Sequence, residues 1–177
     1  MAKLTRRELV RTGFGGLALL ALGGCARAAT AAGHFDDPGY AYRALAPGDR
    51  ELVAAIGAAM LAGALPADRA AYGVALVQVV RGVDVAVAGL PPNVQNEIAQ
   101  LFGLLRFPVT RVATTGLWSS WENASASSID DFLSRWRFSS IELFRSGYQA
   151  MHQLVMASWY GNDASWARIG YPGPPRV

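Results

Sequence analysis

Residues 68–88 read DRAAYGVALVQVVRGVDVAVA, and this stretch decides the fold class of the chain. Its larger apolar side chains recur every three or four positions, the spacing that places residues on one face of an α-helix. Asp68 is suited to begin this helix, and Gly89 followed by two prolines ends it. The valines would also suit a β-strand, but no turn signal interrupts about twenty positions, so we predict a helix. The residues of its predicted apolar face are Tyr72, Leu76, Val79, Val80, Val83 and Val87.

Similar helical patterns lie on both sides of this stretch. Sustained alternation of the kind found in strands is not seen, so we predict an all-α fold, a single small helical bundle with an extended aromatic and proline-rich C-terminal tail. Residues 108–127 stay open between a short helix and a loop. The other predicted helices run from Pro47 to about Leu65, from Asn93 to Arg106, from about Ser128 to Gly147, and from there to about Tyr160.

The N-terminus has the layout of an export signal. A basic start is followed by an apolar run over residues 12–24, which is too short to span a bilayer, where about 20 residues are needed. Arg6 and Arg7 follow Thr5, and the segment resembles the twin-arginine consensus. A general secretory signal that happens to contain two arginines is the alternative.

These features predict three regions along the chain. Residues 1–29 form the export signal, 30–46 a tether, and 47–177 the helical domain. Tyr40 and Tyr42 are expected to dock the end of the tether onto the fold.

Cys25 is the only cysteine, and it ends a Leu-Gly-Gly-Cys segment that looks like a lipobox. Lipidation there would hold the protein at the membrane. Cleavage by the ordinary signal peptidase after Ala28 is the alternative, and it would discard the cysteine. Both outcomes place the protein in the periplasm, and we expect it to be attached to the membrane through its lipid or its partner.

The charge of the chain belongs largely to its signal. The chain has 16 basic and 13 acidic residues, of which four basic and one acidic residue precede Cys25. The rest is therefore neutral overall, which gives no indication of nucleic-acid binding. Its length suits a single domain.

No familiar enzyme motif occurs in the chain, neither a glycine-rich nucleotide loop nor a nucleophile elbow. The pairs at residues 36–37 and 130–131 suit loop and helix-cap charges better than catalytic carboxylates. His34 and His152 are too few for a histidine-rich metal site. We therefore predict no catalytic, cofactor or metal residues in this chain; a small enzyme site around His152 and Arg145 is an alternative.

The C-terminal tail is too aromatic for a disordered end and too rich in proline for a helix. It therefore needs a surface to lie against, either its own bundle or a partner. The residues that we assign to partner binding are Trp159, Tyr160, Trp166, Tyr171, Pro172, Gly173 and Pro174.

The ending from Trp166 to Pro174, with its Gly-Tyr-Pro-Gly-Pro, resembles that of the small subunits of bacterial membrane-associated flavin dehydrogenases. These include the gluconate 2-dehydrogenase subunit 3 family and the small subunits of sorbitol, fructose and FAD-dependent glucose dehydrogenases, which also share the twin-arginine start. Cys25 is a departure, because a lipobox is not general in those families.

The resemblance implies a non-catalytic subunit without a cofactor of its own. It would accompany a large subunit of the glucose–methanol–choline (GMC) type, which holds FAD, through the twin-arginine translocase and support its maturation. A cytochrome c subunit often receives the electrons in such complexes. A stand-alone helical envelope lipoprotein that binds another protein is the alternative.

Overall fold

The computed structural model describes residues 35, 37–163, 165–166 and 170–173. The export signal with Arg6, Arg7 and Cys25 lies outside these residues, as do His34, Asp36 and Pro174. Six α-helices and no strand occur in the described part, which confirms the predicted all-α bundle. The helices are α1 Pro47–Met60, α2 Arg69–Ala88, α3 Pro92–Arg106, α4 Pro108–Thr115, α5 Ala126–Arg137 and α6 Glu142–Tyr160.

Helix α2 is the helix predicted from residues 68–88, and it packs chiefly against α6 and α1. The side chain of Asp68 caps it by accepting the N–H of Ala71 at 2.9 Å. Burial of each valine stabilises the fold by about 1.5–3 kcal/mol relative to exposure. The buried residues of the predicted face are Val79, Val80, Val83 and Val87.

Several boundaries differ from the sequence prediction, and the structure of residues 108–127 is now defined. α1 ends at Met60, and residues 61–65 form hydrogen-bonded turns that bury Leu61 and Leu65 in a second small core. Residues 108–127, for which the sequence left a short helix or a loop open, contain helix α4. This helix ends where Gly116 adopts a left-handed conformation, with φ of 72°. Ser125, three residues before the predicted cap, starts α5 by accepting the N–H of Ser128.

Gly147 lies inside α6 rather than between two helices, and the interruption falls at residues 138–141. A Cβ atom at position 147 would stand 2.6 Å from Cζ3 of Trp136. The ring of Trp136 is buried and also stacks on Phe144, with 5.0 Å between ring centroids. The glycine therefore permits close packing of α5 on α6.

A second glycine brings α2 and α6 together. A Cβ atom at Gly82 would lie 2.8 Å from Cβ of Ser158 and 3.3 Å from its Cα. Because both atoms are fixed to the backbone of α6, a side chain at position 82 would force the helices apart.

The N-terminal segment, residues 37–45, is held on α2 by one carboxylate. Asp84 is fully buried, and its oxygens accept the backbone N–H groups of Arg43 at 3.1 Å, Ala44 at 2.8 Å and Leu45 at 2.9 Å. The hydroxyl of Tyr40 also reaches it at 3.4 Å. The packed part of the chain therefore begins ahead of Pro47, where the sequence placed the start of the domain.

Paired aromatic and charged side chains surround this attachment. Arg81 donates to both oxygens of Asp37, at 2.6 and 2.7 Å, and its guanidinium lies 5.0 Å from the centre of the Tyr40 ring. Arg50 lies 4.0 Å from the centre of the Tyr42 ring. Burial, followed by the charge of Asp37, raises the pKa of Tyr42 to about 12. Both tyrosines therefore dock the segment, as expected.

Asp49 in the first turn of α1 is a second acidic residue that holds the start of this helix in place. One of its oxygens accepts the N–H of Ala46 at 2.9 Å, and the other lies 2.9 Å from Nε of Arg106 at the end of α3. Burial raises the pKa of Asp49 against the opposing effect of Arg106. This ion pair joins α1 to α3.

Gly82→Ala should lower the free energy of unfolding by about 1–3 kcal/mol, the usual cost of overpacking. Gly73 provides the control in the same helix, because nothing lies within 4 Å of an added Cβ there. Gly73→Ala should raise the free energy of unfolding by up to about 1 kcal/mol, since alanine favours a helix. Urea unfolding of both variants measures the difference, and equal effects would contradict the close contact.

Asp84→Asn should lower the free energy of unfolding at pH 7 by about 2–3 kcal/mol. The NH2 group of the asparagine amide would face the backbone N–H groups of residues 43–45, and two donors cannot form a hydrogen bond with each other. Burial acts to raise the pKa of Asp84, but the hydrogen bonds from residues 43–45 outweigh it and lower that pKa. A lowered pKa in the folded state gives stability that is present above about pH 4 and is lost as the pH falls further.

Acid titration of the unfolding free energy from pH 7 to pH 2 checks this. The wild type should lose stability below about pH 4 more steeply than Asp84→Asn. Asp131→Asn, at an exposed position of α5, is the matched control and should follow the wild type. Parallel acid profiles of wild type and Asp84→Asn would refute the role of the carboxylate.

Candidate functional site

A groove with a volume of about 320 Å³ lies between α5 and α6, and the end of α1 closes its floor. Three polar residues at helical spacing, Asp130, Ser134 and Arg137, lie along its α5 side. On its α6 side the lining residues are spaced by four. We call it the α5–α6 groove. It is lined by Ala59 and Met60 of α1, by Asp130, Leu133, Ser134, Arg137 and Phe138 along and after α5, and by Tyr148, His152 and Met156 of α6.

Arg137 rests on aromatic rings at one end of this groove. Its guanidinium lies 5.2 Å from the centre of the Phe138 ring and 6.0 Å from that of Tyr148. The ring of Tyr148 stacks on His152, with centroids 5.7 Å apart. No carboxylate of the described residues pairs with Arg137, whereas Arg135 donates to the carbonyl of Thr115. The groove therefore presents a guanidinium that is oriented by aromatic rings and open to a ligand.

Three large apolar side chains project at the same end, where the chain turns from α5 into α6. Phe138 is 75% exposed, Ile141 53% and Leu143 65%. We call these residues the α5–α6 corner. Apolar residues exposed together mark sites of interaction on soluble proteins more often than apolar residues exposed singly.

The apolar and aromatic residues of α6 recur at helical spacing and form two rows. Met151, Val155 and Trp159 recur every four residues and are buried. Tyr148, His152 and Met156 form the second row and line the groove. The sequence pattern thus contained the groove row, but spacing alone did not separate it from the core.

Because one row of α6 is buried, Trp159 does not belong to the predicted partner surface. Trp159 is only 3% exposed and packs in the second small core with Leu61, Val79 and Val155. Its ring has no surface to offer a partner, because α6 places it on the inward row.

The rest of the tail folds on itself beyond α6. Nε1 of Trp166 donates to the carbonyl of Tyr160 at 2.7 Å, and the Trp166 ring meets Tyr171 edge-on at 5.5 Å. Gly173 has a φ of 94°, and a Cβ there would lie 3.2 Å from the Trp166 ring. Tyr160, Tyr171 and Pro172 are exposed. Trp166 therefore supports an exposed surface instead of forming it alone.

The tail is also tied to its own bundle. Nδ2 of Asn162 donates to Gln78 of α2 at 2.8 Å. Ser165 is buried and donates its hydroxyl to the carbonyl of Asn162 at 2.7 Å. The bundle thus holds the tail in place, while the far side of the tail stays open to a partner.

The residues considered for catalysis are not assembled into one site. His152 stacks on Tyr148 in the groove, whereas Nη1 of Arg145 donates to the carbonyl of Ser139 at 2.6 Å. Asp37 is paired with Arg81. Within the described part of the chain, no group of three or more His, Cys, Asp or Glu side chains is placed to hold a metal ion.

Arg111 is a buried charge that the sequence analysis did not single out. It is 9% exposed, and its Nε donates to the carbonyl of Leu117 at 3.3 Å. Burial lowers its pKa. Its place beside the end of α4 indicates a structural role, because the hydrogen bond joins α4 to the chain that follows it.

Comparison of the chain with models of protein families, with curated proteins and with solved structures finds no significant match. In the described residues one helix, α2, is long and apolar enough to cross a membrane. Its valine face packs against α1 and α6, as the core helix of a bundle does.

Proposed function

We propose that this chain is a non-catalytic small subunit of a periplasmic flavin dehydrogenase complex. It binds a folded, FAD-bearing large subunit of the GMC type and accompanies it through the twin-arginine translocase. The observation that carries the proposal is the exposed aromatic surface of the tail, Tyr160, Tyr171 and Pro172, held in one shape around Trp166. This segment is also the one that resembles the small subunits.

The tail is organised before any partner binds. Its ring contacts and its hydrogen bonds to α6 and α2 hold Tyr171 and Trp166 in place. Binding then costs less conformational entropy than it would for a flexible segment. Tryptophan, tyrosine and arginine are the residues that most often dominate the energy of an interface.

In this complex the two subunits have separate tasks. The large subunit holds FAD and performs the oxidation, and this chain supports its maturation and stability. A cytochrome c subunit is a further member of the complex that receives the electrons. A lipid on Cys25 or contact through the partner keeps the assembly at the membrane of the periplasm. The near-neutral mature chain provides little long-range charge steering, so recognition of the partner depends on local contacts.

Deleting residues 166–177 should weaken binding of the flavin subunit by at least about 30-fold, the loss that corresponds to an interface hot spot of about 2 kcal/mol. Trp166→Ala should have a similar effect, because it removes the support for Tyr171. Capture of the native protein from membrane extracts, followed by flavin absorbance of the captured material, measures this.

Trp118 provides the matched control, since it is 84% exposed and lies outside the tail. Trp118→Ala should leave the yellow colour of the captured complex unchanged. Full capture of flavin by the deletion variant would refute the role of the tail. A colourless, single captured chain from the wild type would instead favour the stand-alone lipoprotein.

Replacing Arg6 and Arg7 together with lysine should leave the flavin subunit in the cytoplasm, because that subunit depends on the signal of this chain for export. Cell fractionation with a flavin or activity stain gives the distribution. Arg11→Lys, in the same basic region, is the control and should allow normal export. Normal arrival of the flavin subunit in the periplasm of the double-lysine strain would overturn the escort role.

A further inference from the structure

We propose that the α5–α6 groove binds one helix of the flavin-bearing partner, and that this helix carries a basic and an acidic side chain two turns apart. The inference rests on the proposed function and adds a second contact surface to the tail. It identifies the occupant by the charges and the apolar floor of the groove.

The groove carries opposite charges at its two ends. Asp130 and Arg137 line the same side of it and are seven residues apart on α5, which corresponds to about 10 Å along a helix. Among the described residues neither side chain is paired with another charge. Two side chains seven residues apart on a partner helix have the same spacing, so each meets a charge of opposite sign.

The floor between these charges includes three apolar side chains, Met60, Leu133 and Met156, among polar groups that provide most of the exposed lining. Methionine side chains adjust to the shape of what they contact. A single small anion would pair with Arg137 and leave both Asp130 and this floor without a contact. A helix with an apolar residue between its two charges satisfies all three features.

At one end of the groove, aromatic rings orient Arg137 for binding a carboxylate. The rings of Phe138 and Tyr148 hold its guanidinium without using its hydrogen-bond donors. These donors are free for a bidentate pair with a carboxylate.

Charge reversal tests each end of the groove in the full chain expressed with its native partner. Asp130→Arg and Arg137→Glu should each weaken binding of the flavin subunit by at least about tenfold, as measured by titration of flavin retained on the immobilised variant. The two changes combined should weaken it further. Because both side chains are exposed, both variants should keep the wild-type helix content and a single cooperative unfolding transition.

Asp131→Arg and Arg69→Glu are the matched controls, since they make the same charge changes at exposed positions outside the groove. They should bind the flavin subunit as the wild type does, which would support the groove as the contact. Equal weakening by controls and groove variants would reduce the effect to net charge and overturn the inference.

Different results would refute the groove inference and the proposed function. If the wild type retains the flavin subunit and the groove variants retain it equally, the groove inference is refuted and the proposed function stands. If the wild type retains no flavoprotein at all, the proposed function fails and the groove inference fails with it.

Discussion

The buried carboxylate of Asp84 is the interaction on which the arrangement of the bundle depends. It gathers three consecutive backbone N–H groups of the N-terminal segment onto the C-terminal part of α2. The segment leads directly into α1, so the same contact sets where α1 begins and how it lies on α2. Met60 at the far end of α1 then forms part of the floor of the α5–α6 groove.

Close helix approaches complete this geometry. Gly82 lets α6 approach α2, and Gly147 lets it approach the ring of Trp136 on α5. Packed against both neighbours, α6 buries one row of residues and turns a second row, which includes His152, toward the groove. The same helix ends at Tyr160, whose carbonyl holds the tail through Trp166.

Helical spacing was sufficient to predict the fold class and most of the helices, because each helix buries a face that recurs with its own period. It was not sufficient where the deciding contact comes from a distant residue. Gly147 resembled a helix break because its neighbour, the ring of Trp136, belongs to another helix. Trp159 resembled a surface aromatic for the same reason. The role of Asp84 depends on residues about forty positions away, and the signal at Arg6, Arg7 and Cys25 stays a prediction.

The attachment at Asp84 also determines where mechanical load enters the domain. A pull on the chain ahead of residue 37, such as a membrane tether would exert, is met first by the Asp37–Arg81 pair and then by the Asp84 hydrogen bonds. The force is therefore delivered to the C-terminal part of α2. α1 carries no tension until those bonds have broken, so such a pull would not reach the groove floor at its end before then.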